Sequence, residues 1–487
     1  MSADPMELIY SLIGYPSETE WIEFKESNND CVKIAQDISA LSNTAAFRGR
    51  DCAYRIWGVE DGSHALVGTK FDYLKAIAKG NQGLLIWLKT VLSKNANYEF
   101  DQFDHDGKHY VVLTVRAALM QPVYYGSTAY IREGNSTTTL EPGSAKEAEL
   151  WKRLQGADFE SLPAETDLLA TDIPGLIHVD AYFDLLDLKH PSDIKSAMTP
   201  LVEQELLRKQ DNGRYTITNL GALLLAKKMS DFPGLRKRQL RIVRFSGTGN
   251  FEILDDKTLP DGYALALSKA EELIMSMIPA TEVAEGAHRI IRYAYPQRAI
   301  REFLSNAVIH QDLTDTSSGP RVDLYENRIS FSNPGVSLIP VKRILNAQPK
   351  TRNNGLVGML RQMDLCEEGG TGWDIAVAAC EAAHLPSPQI ESDEDLGTRV
   401  TLFQGPAYDR MTKRERADAL YWHACLMFAN GTSMNNQSLR ERFGLSNERK
   451  NMLAMSRLIR ECCDIGLIKE EDEEAGPKNK RYIPGWA

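Results

Sequence analysis

The sequence lacks several features that mark common classes of protein. It has no apolar run of about 18 residues, so we expect no membrane-spanning helix and no membrane partner. Its first residues show no basic stretch followed by an apolar core, which argues against a signal peptide. Its seven cysteines form no CxxC pair. That pattern argues against a zinc cluster and favours a reduced, cytoplasmic protein.

Two further absences narrow the possible functions. A net charge of −11 argues against a protein that coats nucleic acid, although it leaves room for a local basic groove. The sequence also contains no P-loop of the form G-x-x-x-x-G-K-[ST], which a helicase motor needs. We therefore expect neither a protein that coats nucleic acid nor a helicase.

What remains is an ordinary globular composition on a long chain. With 487 residues, of which 43% are hydrophobic and 25% charged, the chain is too long for one core. Alternating helix and strand patterns predict a multidomain α/β protein. The expected divisions are a mixed α/β domain at 1–150, a linker with a winged-helix-like region at 151–284, a second α/β unit at 285–405, and a C-terminal winged helix-turn-helix at 406–487.

An acidic stretch near the start, "SETEWIEFKES", raises the first question about function. Glu18, Glu20 and Glu23 alternate with apolar residues in a strand-like segment. In an extended strand Glu18 and Glu23 would point to opposite faces, but they could still converge if Glu18 lies in a turn or at a helix end before the strand. Lys25 shares a face with Glu23, where it could neutralise a carboxylate or hold a phosphate.

Asp61 follows a separate predicted strand, and it could join these glutamates. Carboxylates gathered at strand ends are the ligands that Mg²⁺ and Mn²⁺ prefer, and two such ions can support phosphodiester cleavage. The alternative is that the acids form a solvated strand face and that Asp61 and Gly62 form a hairpin turn. The residues themselves leave both interpretations open.

Three segments of residues 1–150 resemble the Schlafen-type, AlbA-like domain. They are "ETEWIEFKES", "ISALSNTAAFRGRDCAYRIWGVEDG" and "YIREGNSTTTL". The resemblance implies nucleic-acid binding, with RNA as the favoured substrate. It also implies a metal-binding catalytic triad of Glu18, Glu23 and Asp61, with nucleic-acid contacts from Lys25 and Arg132.

The chain departs from this family pattern at one place. The run "FRGRDC" replaces the usual small glycines, and Arg48 and Arg50 add positive charge there.

A second candidate site begins on a predicted helix. Glu302 and Asn306 are four residues apart, so they lie one above the other on the same helix face. Three glycine-bearing turns follow, in "SNPG", "EEGGTGWDIAV" and "LGTRVTLF". Glycines allow backbone amides to approach phosphate oxygens, and a helix that starts at Gly372 adds a favourable dipole.

The order of these four elements resembles the GHKL ATPases, which have the Bergerat fold, over residues 285–405. The resemblance implies ATP binding, with Glu302 as the general base and Asn306 holding Mg²⁺. It further implies a lid at Pro349–Gly370 and ATP-driven assembly into a homodimer or higher homo-oligomer. Asn333 stands where the family has an adenine-reading aspartate. The other expected nucleotide-contacting residues are Gly335, Gly370, Gly372, Gly397 and Thr398.

The C-terminal residues complete the predicted organisation. Three helices followed by a two-stranded wing predict a winged helix-turn-helix, in which Arg449 and Lys450 would contact nucleic acid. The acidic run Glu470–Glu474 opposes this interpretation, and such a module can also serve in docking.

The sequence therefore predicts an ATP-regulated, metal-dependent nuclease, with RNA favoured over DNA. By analogy of architecture, stress response or phage defence would be its setting. The alternative is an ATP-responsive, DNA-binding transcriptional regulator without nuclease activity.

Overall fold

The computed structural model describes residues 5–15, 18–155, 158–210, 212–285, 288–315, 317–367, 372–472, 474–476 and 479–487. These residues form a multidomain α/β protein, as expected. The chain divides into two compact units. The first contains the residues up to Pro174 together with Pro191–Asn219, and the second contains Gly175–His190 and Leu220–Ala487. Among the described residues no helix is long and apolar enough to cross a membrane.

The elements of the first half of the chain are, in order, α1 (Pro5–Ile13), β1 (Ile22–Lys25), α2 (Cys31–Phe47), β2 (Cys52–Trp57), α3 (Leu84–Val91), β3 (Tyr98–His105), β4 (Lys108–Arg116), β5 (Tyr124–Tyr125), β6 (Thr128–Glu133), β7 (Ser136–Thr139), α4 (Ala145–Gln155), β8 (Pro163–Leu168), α5 (Ile173–Leu176), α6 (Val179–Leu185), α7 (Ile194–Glu203), β9 (Leu207–Lys209) and β10 (Tyr215–Thr218).

The second half continues with α8 (Asn219–Leu225), β11 (Arg241–Phe245), β12 (Ile253–Thr258), α9 (Tyr263–Met277), β13 (Ala280–Glu285), β14 (His288–Tyr293), α10 (Gln297–Ile309), β15 (Arg321–Leu324), β16 (Arg328–Asn333), α11 (Asn354–Gln362), α12 (Gly372–Ala382), β17 (Gln389–Asp393), β18 (Gly397–Phe403), α13 (Lys413–Ala429), α14 (Asn436–Arg442), α15 (Arg449–Asp464), β19 (Ile468–Glu470) and β20 (Tyr482–Pro484).

The first unit is built around a four-stranded sheet in the order β1-β2-β4-β3. Every residue of β2 is buried, as expected of a central strand, and its one charged residue, Arg55, forms a buried ion pair with Asp37. Strand β1 runs parallel to β2, and Lys25 pairs with Trp57. Because Asp61 follows β2 by only a few residues, this register brings it back towards the end of β1.

Helix α2 covers one face of that sheet. Asp30 caps the helix by accepting hydrogen bonds from the backbone amides of Val32 and Lys33. Ile34, Ile38 and other apolar residues at helical spacing are completely buried, so the helix presents its apolar stripe to the core. The chain leaves α2 at Phe47 and enters β2 at Cys52, which places the basic "RGR" turn at one edge of the unit.

The second unit contains a six-stranded sheet in the order β12-β11-β15-β16-β18-β17. Strands β11 and β15 pair in parallel, while every other pairing in this sheet is antiparallel. The sheet therefore starts at Arg241, inside the stretch 151–284 that the sequence assigned to a linking region. The boundary expected at 285 was wrong for this sheet, because the pairing of β11 with β15 is non-local.

The C-terminal residues contain three helices, α13, α14 and α15, before a short pair of strands. Thr412 caps α13 and forms a capping box with Glu415, which fixes the start of the helix. Helices α14 and α15 follow, and β19 pairs with β20 in a short antiparallel sheet. Buried apolar residues of α13, α14 and α15, among them Leu420, Leu439 and Ile459, share one hydrophobic cluster.

Candidate functional sites

One candidate site lies beside α10 in the second unit. One face of this helix packs inward through Phe303, whose ring contacts Phe331 at 5.8 Å and Trp373 at 5.3 Å between centroids. Glu302 and Asn306 line a cavity of about 310 Å³ next to that packed face. This volume is within the usual range of small-molecule sites. Glu302 and Asn306 therefore line the same cavity, which is large enough for a small-molecule ligand.

Helix α12 begins against these two side chains. A methyl group added at Gly372 would overlap Oε2 of Glu302, and it would lie 3.8 Å from Nδ2 of Asn306. Glycine is thus the residue that lets the start of α12 approach both side chains. The amino-terminal end of α12 adds a positive partial charge at the cavity, which favours an anionic ligand. Gly370 lies outside the described residues.

Burial changes the acidity of Glu302. Desolvation, reinforced by the negative charge of Glu367 and opposed by Arg301 and Arg298, raises the pKa of its carboxyl group to about 7. A carboxyl group with this pKa is partly ionised near neutral pH, so it can exchange a proton there. Glu367 also lines the cavity. Sequence reasoning gave it no role, although it directly precedes the glycine-rich loop.

The opposite wall of the cavity is a corner between two strands. Asn333 ends β16 and pairs with Thr398 of β18. Gly335 has a φ of 94°, and the hydroxyl group of Thr398 donates a hydrogen bond of 2.8 Å to its carbonyl oxygen. A Cβ at Gly397 would overlap the carbonyl oxygen of Asn333. These four predicted residues therefore form one compact corner, and Asn333 and Thr398 line the cavity.

Some residues of the segment predicted as a lid line the cavity, and others do not. Arg352 lines the cavity and donates a hydrogen bond of 2.8 Å to the carbonyl oxygen of Val336. Asn353 is buried, and its amide group donates to the carbonyl oxygens of Ile309 and Gln311. Asn353 is therefore not available to a phosphate, because its amide donors hold the end of α10 in place.

The second candidate site is the acidic cluster of the first unit. Glu18 lies in a turn before β1, and its carboxylate accepts a hydrogen bond of 2.7 Å from the backbone amide of Phe24. The ammonium group of Lys25 is 3.0 Å from Glu23, 3.7 Å from Asp61 and 3.8 Å from Glu18. The turn therefore brings the three predicted carboxylates around one positive charge.

The two glutamates of this cluster differ in acidity. Burial raises the pKa of Glu18, although the backbone hydrogen bond from Phe24 opposes the rise. Burial also acts to raise the pKa of Glu23, but the charges of Arg132 and Lys25 outweigh it and leave that pKa below its ordinary value. Glu23 is consequently ionised at neutral pH, with one cation beside each oxygen.

The cluster differs from a ready metal site. Mg²⁺ requires oxygen ligands at about 2.1 Å in a near-octahedral arrangement. Lys25 occupies the position between the carboxylates, and Asp61 is 59% exposed. In the described part of the chain no three His, Cys, Asp or Glu side chains form a group that could hold a metal. A divalent ion would fit only if Lys25 moved out of this position.

Two neighbouring residues have structural partners. Arg132 was expected to contact nucleic acid, but its side chain is fully buried against Glu23. That expectation does not fit the structure, because the guanidinium neutralises an internal carboxylate instead of facing solvent. Glu20 forms an ion pair of 2.5 Å with Arg48 and accepts from the backbone amide of Gly134. Glu20 therefore stands apart from the acidic cluster.

The basic residues of the C-terminal helices divide into two groups. Arg449 and Lys450 are exposed at the start of α15, where Lys450 lies 2.9 Å from Glu448. Arg440 and Arg442 are buried, and Arg442 donates to the carbonyl oxygen of Leu385. Of these four residues only Arg449 and Lys450 are available to a partner, because Arg440 bonds within α14 and to Asn447, and Arg442 bonds to the segment that follows α12.

Two family models match parts of the sequence. Residues 18–141 match the model described as "Schlafen, AlbA_2". Residues 317–402 match the HATPase_c_4 model, described as "Putative ATP-dependent DNA helicase recG C-terminal". The second range contains α12 and the corner at Asn333, whereas Glu302 and Asn306 precede it. Together the two matches support a nucleic-acid-related protein with an ATPase-like domain.

No curated protein matches the sequence. Among solved structures, the crystal structure of the DIP2311 protein from Corynebacterium diphtheriae is similar over 99% of this chain and 98% of its own. The two sequences are 17% identical, and the TM-score is 0.43.

Proposed function

We propose that the second unit binds and hydrolyses ATP in the cavity beside α10. The observation that carries this proposal is the position of Glu302 and Asn306 on one helix face, directly against the glycine that begins α12. A buried acid, a neutral amide and a helix amino terminus around a ligand-sized cavity suit a nucleoside triphosphate.

Each residue has a definite role in this proposal. Glu302, in its ionised form, accepts a proton from the attacking water, and its raised pKa suits proton transfer near neutral pH. Asn306 would hold the Mg²⁺ that neutralises charge on the triphosphate. Arg352 offers a cation to the phosphates from the lid segment, and Asn333 offers a polar side chain for the base.

Hydrolysis of radiolabelled ATP by the full chain tests this proposal. Glu302→Gln should abolish hydrolysis and keep ATP binding, whereas Asn306→Ala should weaken Mg²⁺-dependent binding. Glu272→Gln removes an exposed carboxylate of α9 that does not line the cavity, so it serves as the matched control. Equal hydrolysis by the wild type and Glu302→Gln would refute the assignment.

We further propose that the first unit cleaves nucleic acid, with RNA favoured, under the control of ATP-driven homo-oligomerisation. The convergence of Glu18, Glu23 and Asp61 on one cationic position supports this proposal. With Lys25 displaced, these carboxylates would hold Mg²⁺ or Mn²⁺, which would activate water and stabilise the leaving oxygen. Lys25 would then be free to contact the scissile phosphate.

Cleavage assays with Mn²⁺ separate this activity from simple binding. The substrates are transfer RNA, single-stranded RNA, and single- and double-stranded DNA, each with and without ATP. Asp61→Asn is the preferred variant, because Asp61 is exposed and its loss should not disturb the core. Glu99→Gln, on exposed β3, is the control. Cleavage that persists in Asp61→Asn would show that these carboxylates do not form the catalytic metal site.

A DNA-binding regulator is the second candidate function. Two observations favour it. Each oxygen of Glu23 is paired with a cation, Lys25 or Arg132, which leaves that carboxylate in a structural role. Arg449 and Lys450 are exposed. If this function is correct, every substrate stays intact and ATP changes the retardation of DNA on a gel. Arg449→Gln should then weaken retardation without affecting ATP hydrolysis.

A further inference from the structure

The cavity beside α10 is lined by two cations that have no role in the proposed function. They are Lys350 and Arg361, and they line it together with Arg352. Among the described lining residues the carboxylates are Glu302 and Glu367, and Glu302 is only partly ionised near neutral pH. The wall of the cavity therefore carries an excess of positive charge, although the whole chain has a net charge of −11. Such a local excess favours a ligand with several negative charges.

Arg361 lies at the end of the cavity that contains Glu302. Val357 and Arg361 are four residues apart in α11, so they share the helix face that lines the cavity. Arg361 is also hydrogen-bonded to the thiol of Cys366, another lining residue. Burial raises the pKa of that thiol to about 11, the charge of Arg361 acts to lower it, and the charges of Glu302 and Glu367 act to raise it. The guanidinium group and the two carboxylates therefore lie around one thiol.

Hydrogen bonds from α10 hold the end of α11 in place. The hydroxyl group of Ser305 donates a hydrogen bond of 2.9 Å to the carbonyl oxygen of Leu365. One turn earlier on α10, the guanidinium group of Arg301 donates to the carbonyl oxygen of Asp364. Because α10 also carries the proposed general base, these bonds fix the position of Arg361 relative to that base. Such fixed placement of two groups is what a catalytic pair requires.

The guanidinium group of Arg361 is available to a ligand. Its side chain is exposed, and no carboxylate within the described part of the chain forms an ion pair with it. The other arginine of the cavity is placed differently. Arg352 donates a hydrogen bond to the carbonyl oxygen of Val336, next to the corner formed by Gly335. Arg361 is therefore the arginine at the Glu302 end of the cavity, where the water that Glu302 activates would attack.

We propose that Arg361 contacts the terminal phosphate of bound ATP and stabilises the charge that moves during hydrolysis. The inference rests on the proposed ATPase function, to which it adds a catalytic residue. The water oxygen bonds to the terminal phosphorus while its proton passes to Glu302. The bond from that phosphorus to the bridging oxygen breaks, and ADP leaves with the electron pair. A guanidinium group offers two parallel donors to phosphate oxygens, and a fixed cation at this point stabilises the transition state.

The test combines hydrolysis rates with calorimetric affinities of the full chain for Mg²⁺-ATP and Mg²⁺-ADP. Arg361→Ala should lower kcat about 100-fold to 1,000-fold. It should also reduce the preference for ATP over ADP by about tenfold, because only ATP carries the terminal phosphate. Added guanidinium chloride should restore part of the kcat of Arg361→Ala, and Arg361→Lys should have an intermediate kcat. Arg410→Ala removes an exposed arginine that does not line the cavity, so it is the matched control.

The outcomes separate this inference from the proposed function. If the wild type and Arg361→Ala hydrolyse ATP equally, the inference is wrong and the ATPase function stands. An equal loss in Lys350→Ala also overturns it, because the cavity then needs positive charge in general. A loss of kcat that guanidinium does not restore, with an unchanged preference for ATP over ADP, indicates a structural role and overturns it too. If the wild type binds ATP without hydrolysing it, a reduced preference in Arg361→Ala still supports the phosphate contact. If the wild type binds no ATP, both proposals are wrong.

Discussion

Between about pH 6 and about pH 8, the kcat/KM of ATP hydrolysis should rise about tenfold. The reason is the pKa of Glu302, which burial raises to about 7. A raised carboxyl pKa means that the protonated, inactive base predominates below 7 and the ionised base predominates above it. With a pKa of about 7, roughly a tenth of Glu302 is ionised at pH 6 and roughly nine-tenths at pH 8. The pH dependence of kcat/KM reports the free enzyme, which is the state described here.

ATP itself loses a proton in this pH range, and this also affects the pH profile of hydrolysis. The control must therefore be a variant protein that is assayed with the same substrate. Glu367→Gln is suitable, because the charge of Glu367 raises the pKa of Glu302. Removing that charge should move the midpoint of the profile to lower pH, while the ionisation of ATP stays the same. Initial rates at low ATP concentration, followed by phosphate release, measure both profiles. Coincident midpoints for the wild type and Glu367→Gln, or a flat wild-type profile, would refute the reasoning.

Four other predictions concern the cavity beside α10, the acidic cluster and the C-terminal helices. Gly372→Ala should abolish ATP hydrolysis without unfolding the protein, because its methyl group would overlap Glu302; circular dichroism and a phosphate-release assay check this, and normal hydrolysis would contradict it. Glu302→Gln should raise the melting temperature at pH 8 but scarcely at pH 4, because the cost of burying this carboxyl group is absent below its ordinary pKa of 4.5, grows between 4.5 and about 7, and is complete above about 7; an equal effect at both pH values would contradict the burial argument. Arg132→Ala should lower the free energy of unfolding by about 3 kcal/mol, the lower end of the range for breaking a buried pair, because Glu23 keeps Lys25 at 3.0 Å but loses the cation beside its other oxygen; adding Glu23→Ala should recover part of the loss in urea unfolding. Thr412→Ala should cost about 1 kcal/mol by removing the cap of α13, also measured by urea unfolding, and a neutral effect would rule out the capping box.

Local patterns were enough to predict several of the residues that line the cavity beside α10. Glu302 and Asn306 share a face because helical spacing alone determines it, and the structure keeps them on one cavity. The closeness of Gly372 to Glu302 depends on the packing of two helices, so the sequence indicated a glycine without showing which side chain required it.

Long-range contacts explain what the sequence did not reveal. Spacing left the convergence of Glu18 and Glu23 undecided, because it depends on a turn that is held by the backbone amide of Phe24. The burial of Arg132 follows from its pairing with Glu23, far away in the sequence. Similarly, β11 joins the six-stranded sheet through a parallel pairing with β15, which periodicity within either segment cannot show.

Calorimetric titration of Mg²⁺-ATP into the full chain tests the central claim most directly. The account predicts saturable binding to the wild-type protein and to Glu302→Gln, and binding that is strongly weakened in Asn306→Ala. Glu272→Gln should bind as the wild type does. No heat of binding with the wild type, or equal affinity in Asn306→Ala, would contradict the assignment of the cavity beside α10 to ATP.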